Sequence, residues 1–173
     1  MVNLRPSRRE IAMTSDRRTL AVLIASGGSA AILSAALAFQ YLGGLAPCQL
    51  CLWQRWPHVA AIVIGGLALL AARGAFGRLL PFLGALAALA SGVIGAFHVG
   101  VEQKWWEGLA SCTAGSISGI STADLLNPSV DVGAVVRCDE IAWSMFGLSM
   151  AGWNVVLSAV LAMIWIAAYR RSA

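Results

Sequence analysis

Four apolar stretches and one long polar stretch set the plan of the chain. Leu20 to Leu42 contains no Asp, Glu, Lys or Arg, and about 20 apolar residues cross the ~30 Å hydrocarbon core of a bilayer. Trp56 to Ala72 is equally free of charge. It reaches spanning length if its helix starts near Leu52, which leaves Pro57 near the start, where a missing N–H matters little. Leu79 to Val101 is the third stretch. Met145 to Tyr169 is the fourth, closed by Arg170 and Arg171. The pattern predicts spans at about 20–42, 52–72, 79–101 and 145–169, in one domain of residues 19–173 behind a basic, mobile tail of residues 1–18. In the third stretch Gly84, Ala88, Gly92, Ala96 and Gly100 recur at every fourth position, a ladder that predicts close helix packing. Glu102 to Ile141 is the polar stretch. Within it Ile117 to Leu126 predicts a short helix lying on the membrane, with Gly119 in its middle.

Composition agrees. Hydrophobic residues make up 59% of the 173 and charged residues 12%, and the mean hydropathy is +0.77. Soluble domains run at about 45–50% apolar and about 25% charged. The first stretch has one alternative, a cleaved signal peptide. Asp16-Arg17-Arg18-Thr19-Leu20 and Ala36-Leu37-Ala38 faintly fit one, but the apolar run is long for a signal sequence.

The net charge of +4 is a topology signal and not a nucleic-acid footprint. Arg5, Arg8, Arg9, Arg17, Arg18, Arg73, Arg78, Arg170 and Arg171 fall in the tails or one short loop. Glu102, Glu107, Asp124, Asp131, Asp139 and Glu140 fall in the long polar stretch. The positive-inside rule then places both termini and the Arg73–Arg78 loop in the cytoplasm. Trp53, Trp56, Trp105, Trp106 and Trp143 gather at the outer boundary as an aromatic belt. The expected fold is an all-α membrane protein, a four-transmembrane-helix bundle with a long outer loop between helices 3 and 4.

All four cysteines, Cys48, Cys51, Cys112 and Cys138, fall on the outer side, where disulfides persist. Cys48 and Cys51 sit in Pro47-Cys48-Gln49-Leu50-Cys51-Leu52-Trp53-Gln54-Arg55. On a helix Cys51 and Arg55 share a face, and a guanidinium or a helix N-terminus favours the thiolate. Four cysteines make two structural staples, a zinc site or a redox relay. Zinc prefers two close pairs, and here only Cys48 and Cys51 are close, so no metal is expected. A bridge across two intervening residues gains little from loop entropy, whereas such pairs are characteristically redox-active. The rival from another class is a non-catalytic membrane protein braced by two disulfides. For Arg55 the rival is an interfacial anchor that snorkels to headgroups, although a charge inside a membrane is costly and normally has a partner.

At these residues the chain resembles the disulfide bond formation protein B (DsbB) family. The matching elements are Pro47-Cys48-Gln49-Leu50-Cys51 with Arg55, then Cys112, then Cys138-Asp139-Glu140-Ile141-Ala142-Trp143 running into Phe146-Gly147-Leu148-Ser149-Met150. Span order and loop sizes agree from about residue 18 onward. The resemblance implies a bacterial inner-membrane thiol–disulfide oxidoreductase with its cysteines on the periplasmic side. It implies that Cys112 and Cys138 form the shuttle disulfide that meets a periplasmic DsbA-like thioredoxin-fold protein. Cys48 and Cys51 are then the pair recharged by membrane quinone, ubiquinone or menaquinone. By the same resemblance Cys51 faces the quinone and Arg55 polarises it. A dedicated branch of the family, serving one oxidase or substrate, fits equally well. Vitamin K epoxide reductase-like proteins do similar chemistry, but their loop pair precedes the C-x-x-C.

One position departs from the family. Where some members carry Glu-His at the outer end of the third span, this chain reads Glu102-Gln103. Glu102 is kept at the cofactor site. His98 lies one turn earlier on the same face and takes the place of the missing His, the alternative being a packed polar residue. His58 has no assigned role.

Overall fold

The computed structural model describes residues 8–71, 75–109 and 136–172. Four long helices, α1 (Arg8–Tyr41), α2 (Gln49–Leu70), α3 (Ala75–Glu102) and α4 (Met150–Arg170), follow one another in the chain. A two-stranded hairpin, β1 (Ser144–Met145) and β2 (Leu148–Ser149), precedes α4. Each helix packs on its neighbours in sequence and α4 returns to α1, so the four close a ring. Cys112 and the predicted surface helix at Ile117 to Leu126 lie outside the described residues.

The outer face of the bundle is apolar, and its interior joins an apolar core around Val22, Leu80, Leu161 and Trp165 to a set of buried polar side chains. Leu23, Leu67, Leu89, Val93 and Met163 are exposed, while Gln54, His58, Ser91, His98, Asn154 and Ser158 are buried. Segments of α1, α3 and α4 are long and apolar enough to cross a membrane. α2 is less apolar because Gln54, Arg55 and His58 occupy its N-terminal half.

Two boundaries differ from the sequence expectation. α1 starts at Arg8 and not near Leu20, so residues 8–18 extend a helix where a mobile tail was expected. A polar extension needs no apolar face once the span below it has nucleated the helix. α4 starts at Met150 and not at Met145. Phe146 (φ 52°) and Gly147 (φ 79°) both take positive φ, the two-residue turn that joins antiparallel strands, with Met145 opposite Leu148. Ser149 then caps α4, its Oγ accepting from Gly152 N at 3.1 Å.

The small-residue ladder of α3 is used only in part. Four residues turn a helix by 400°, so a strict four-residue repeat drifts off any one face. Ala88 is buried but Ala96 is exposed, and the packed face continues through Ser91, Gly95 and His98. Gly84 is needed where it stands: a Cβ there would lie 2.6 Å from the Trp165 ring.

At the end of the bundle where α2 and α4 stop and α3 begins, Arg18 is buried. It donates to Gly77 O at 2.9 Å, Ala68 O at 3.3 Å and Ser172 Oγ at 2.8 Å. A residue expected only to orient the chain thus ties α1 to the ends of the other three helices.

Candidate functional site

The C-x-x-C pair is built by the start of α2. Cys48 is the N-cap, in extended conformation, and its Sγ accepts the Cys51 N–H at 3.3 Å. Capping brings the two sulfurs to 2.8 Å, with Cys48 as donor. A disulfide is about 2.05 Å, and here both are free thiols, as is Cys138. The hydrogen bond to Cys51, together with burial, raises the Cys48 thiol well above its ordinary pKa.

Two different environments meet at this pair. On one side Cys48, Leu50, Val101 and Cys138 form a single buried cluster with Cys51 at its edge. On the other side Cys51 borders a cavity of about 400 Å³. Ile32, Ala36 and Phe39 of α1, Trp143, and Met150, Asn154 and Leu157 of α4 line it, together with Gln54, Arg55 and His58. Arg55 donates from Nη1 to Gln40 Oε1 at 2.6 Å and from Nη2 to Ala36 O at 3.5 Å. The ion pairs of the described residues do not include it. It is a cation held by neutral groups at a cavity wall.

His98 stands on the cysteine side. Its Nε2 is 3.6 Å from Cys48 Sγ and 3.2 Å from Cys138 O, and its Nδ1 is 3.0 Å from Gln54 Nε2. Gln54 Nε2 also faces Leu50 O at 3.1 Å. A carbonyl only accepts, so this atom is the amide NH₂. His98 Nδ1 therefore accepts, and the neutral ring carries its hydrogen on Nε2, donating to Cys138 O. Glu102 Oε1 lies 3.9 Å from that nitrogen, and the Ser149 hydroxyl donates to Glu102 Oε2. Neither His98 nor Glu102 lines the cavity.

Cys138 is held from the other flank by charge. Arg137 makes two bonds to Asp139, at 2.9 and 2.8 Å, and Lys104 lies 3.7 Å from the same carboxylate. The bonds from Arg137 bring the Asp139 carboxyl down to about 2.

A polar network that the sequence did not announce runs behind the site. Asn154 Nδ2 donates to Gln54 Oε1 at 2.8 Å and to Ser91 O at 3.2 Å. Its Oδ1 lies 2.9 Å from His58 Nε2. Gly95 leaves room for this junction, since a Cβ there would lie 3.1 Å from Gln54 Oε1. The available signal was each polar residue's isolation in an apolar run, because such a group must find a partner inside.

Cys48 Sγ, Cys51 Sγ and a His98 nitrogen lie within 4.8 Å of one another.

A family model described as disulfide bond formation protein DsbB matches residues 17–168. A relative named disulfide bond formation protein B, from Verminephrobacter eiseniae, is 33% identical over 91% of this chain and 88% of its own length. Disulfide bond formation protein B 2 of Pseudomonas aeruginosa is 32% identical over 82% of this chain and 84% of its own. Disulfide bond formation protein B of an Azoarcus species is 31% identical over 93% and 98%. No solved structure matches the chain. Free cysteines at the mouth of an apolar helical bundle and this match over most of the length lead to one conclusion: the chain belongs to the disulfide bond formation protein B family and is a membrane thiol–disulfide oxidoreductase.

Proposed function

We propose that electrons enter from a periplasmic DsbA-like thioredoxin-fold protein at a Cys112–Cys138 disulfide, pass to the Cys48–Cys51 pair, and leave to membrane quinone in the cavity beside Cys51. The observation that carries this reading is the position of Cys48. Its sulfur is 2.8 Å from that of Cys51, which borders the cavity, and it shares a buried cluster with Cys138. One sulfur thus adjoins both halves of a relay.

The exchange steps follow from thiol chemistry, in which a thiolate attacks one sulfur of a disulfide and the other leaves. The partner's thiolate attacks Cys112 and Cys138 leaves. The Cys138 thiolate attacks Cys48 of the oxidised Cys48–Cys51 pair, and Cys51 leaves as the thiolate; the partner's second cysteine then closes its own disulfide and releases Cys112, whose thiolate attacks Cys138 and frees Cys48. His98 is a positioning residue in this scheme, since its bond to Cys138 O holds that segment over Cys48.

The cavity suits a quinone head group: apolar walls for a flat ring, and polar side chains for its two oxygens. Bound quinone supplies a two-electron acceptor whose oxygens gain negative charge. Arg55 is a fixed cation in a low-dielectric site, the arrangement that stabilises developing charge most effectively.

In this reading α2 also crosses the bilayer, which makes four spans in a bacterial inner-membrane protein. The polar outer half of α2 faces the site, and both termini are cytoplasmic. Arg18, Arg78, Arg170 and Arg171 gather at one end of the bundle and Cys48, Cys51 and Cys138 at the other, which supports that orientation. The test is to add reduced thioredoxin-fold oxidase and a short-chain quinone to the purified protein in lipid vesicles. Quinone absorbance should fall in step with partner oxidation. Partner oxidation that proceeds equally well without quinone would contradict the reading.

A further inference from the structure

We propose that His58, which lines the cavity beside Cys51 and Arg55, hands a proton to the quinone head group through Nδ1. The proposal rests on the quinone reading above and adds a residue to it.

His58 is 2% exposed, and its hydrogen bonds fix its tautomer. Asn154 Nδ2 faces Ser91 O, which only accepts, so Asn154 Oδ1 is the atom that meets His58 Nε2 at 2.9 Å. The Ser91 hydroxyl donates to Gln54 O at 3.0 Å, so its oxygen accepts, from Asn154 Nδ2 at 3.0 Å and from His58 Nε2 at 3.1 Å. Nε2 therefore carries a hydrogen, held between two acceptors. Nδ1 then bears the lone pair of the neutral ring, and it has no partner among the described residues. A buried polar atom left unpaired is costly. An unpaired nitrogen on a side chain that lines a cavity marks a place for a ligand group.

The same geometry lets the ring change charge without rearranging. The imidazolium also carries a hydrogen on Nε2, so the bonds to Asn154 and Ser91 survive protonation. Only Nδ1 changes, from acceptor to donor. Of the other ionisable groups lining the cavity, Cys51 and Arg55, the guanidinium does not release a proton. His98 and Glu102 stand on α3 beyond Gln54, away from the lining.

The balance is simple. Oxidising the Cys48 and Cys51 thiols to a disulfide releases two electrons and two protons. A quinone that takes both becomes a hydroquinone with two O–H groups. A proton that the thiols release first protonates Nδ1, which then passes it to a quinone oxygen, leaving the ring neutral as it began. Once neutral, Nδ1 accepts the new O–H, so the ring favours hydroquinone over quinone.

The test uses the full chain in lipid nanodiscs, titrated above neutral pH with a short-chain ubiquinone and separately with its hydroquinone. In His58→Gln, whose amide still reaches toward Asn154, hydroquinone should weaken roughly tenfold more than quinone, the worth of one hydrogen bond. Equal weakening of both, or no change in either, would reduce His58 to a packing residue and overturn the proposal. If the unaltered protein binds neither form, the quinone reading itself falls and the proposal with it. The chain has two histidines, so His98→Gln protein with ¹⁵N-labelled histidine reports on His58 alone. Reduced-minus-oxidised infrared difference spectra should show an isotope-sensitive imidazole band. Its absence would overturn the proposal without any change at His58.

Discussion

His98 Nε2 lies 3.6 Å from Cys48 Sγ while donating to the carbonyl of Cys138. One ring on α3 thus touches a cysteine at the start of α2 and another from the far end of the long polar stretch. His98→Ala removes the donor and leaves that carbonyl buried, whereas His98→Gln keeps an amide donor. Exchange between the two pairs should slow about tenfold in the alanine variant, the worth of one hydrogen bond, and be partly restored in the glutamine variant. Rapid acid quenching followed by peptide mapping of the disulfides measures that rate.

Arg55 is held by Gln40 and Ala36, two neutral partners, and makes no ion pair among the described residues. Arg55→Ala should lower quinone-dependent turnover by roughly 10²–10³, as loss of an oxyanion-hole donor does. Partner exchange should be untouched. Arg55→Lys should keep part of the activity, because a point charge remains but the planar fork does not. Steady-state rates of quinone absorbance change, compared with single-turnover partner oxidation, separate the two effects.

Arg18 predicts a stability effect far from the chemistry. Arg18→Ala strands the buried carbonyls of Ala68 and Gly77, at a cost of about 1–3 kcal/mol for a buried group left unsatisfied. Thermal unfolding in detergent should shift down, with turnover per folded molecule unchanged.

Gly84 predicts a second stability effect by a different cause. A methyl group there meets the Trp165 ring at 2.6 Å. Gly84→Ala should destabilise by about 1–3 kcal/mol, the usual penalty of overpacking. Gly66, whose added Cβ meets nothing within 4 Å, is the control, and the same unfolding measurement compares them.

Much of this was legible in one dimension, and the reasons differ by residue. The apolar runs stood out because a charge-free stretch of that length has few other uses. Cys48, Cys51 and Arg55 stood out because a lone charge beside a close cysteine pair breaks such a run. Helix periodicity put His98 and Glu102 on one face but did not say what that face meets, and the face meets Cys48 and Cys138 and not the cavity. Gln54 and Asn154 are far apart in the chain, so no local pattern pairs them; only the packing of α2, α3 and α4 does. The start of α4 was misplaced because an apolar segment reads the same whether it begins as a helix or as a tight hairpin.

Cys51→Ser separates the two halves of the relay. It should still exchange with the partner and form mixed disulfide, but leave quinone oxidised. Quinone reduction by this variant at an undiminished rate would mean that the electrons leave from another sulfur. Quinone absorbance followed beside a non-reducing gel gives both readouts from one sample.

The order of electron flow is the central claim, and a trapped adduct tests it most directly. Cys138→Ser protein is mixed with a reduced thioredoxin-fold oxidase lacking its own second cysteine, quenched in acid, and the mixed disulfide is mapped by mass spectrometry. The account predicts the partner on Cys112. An adduct on Cys48 or Cys51 would reverse the roles of the two pairs and contradict it.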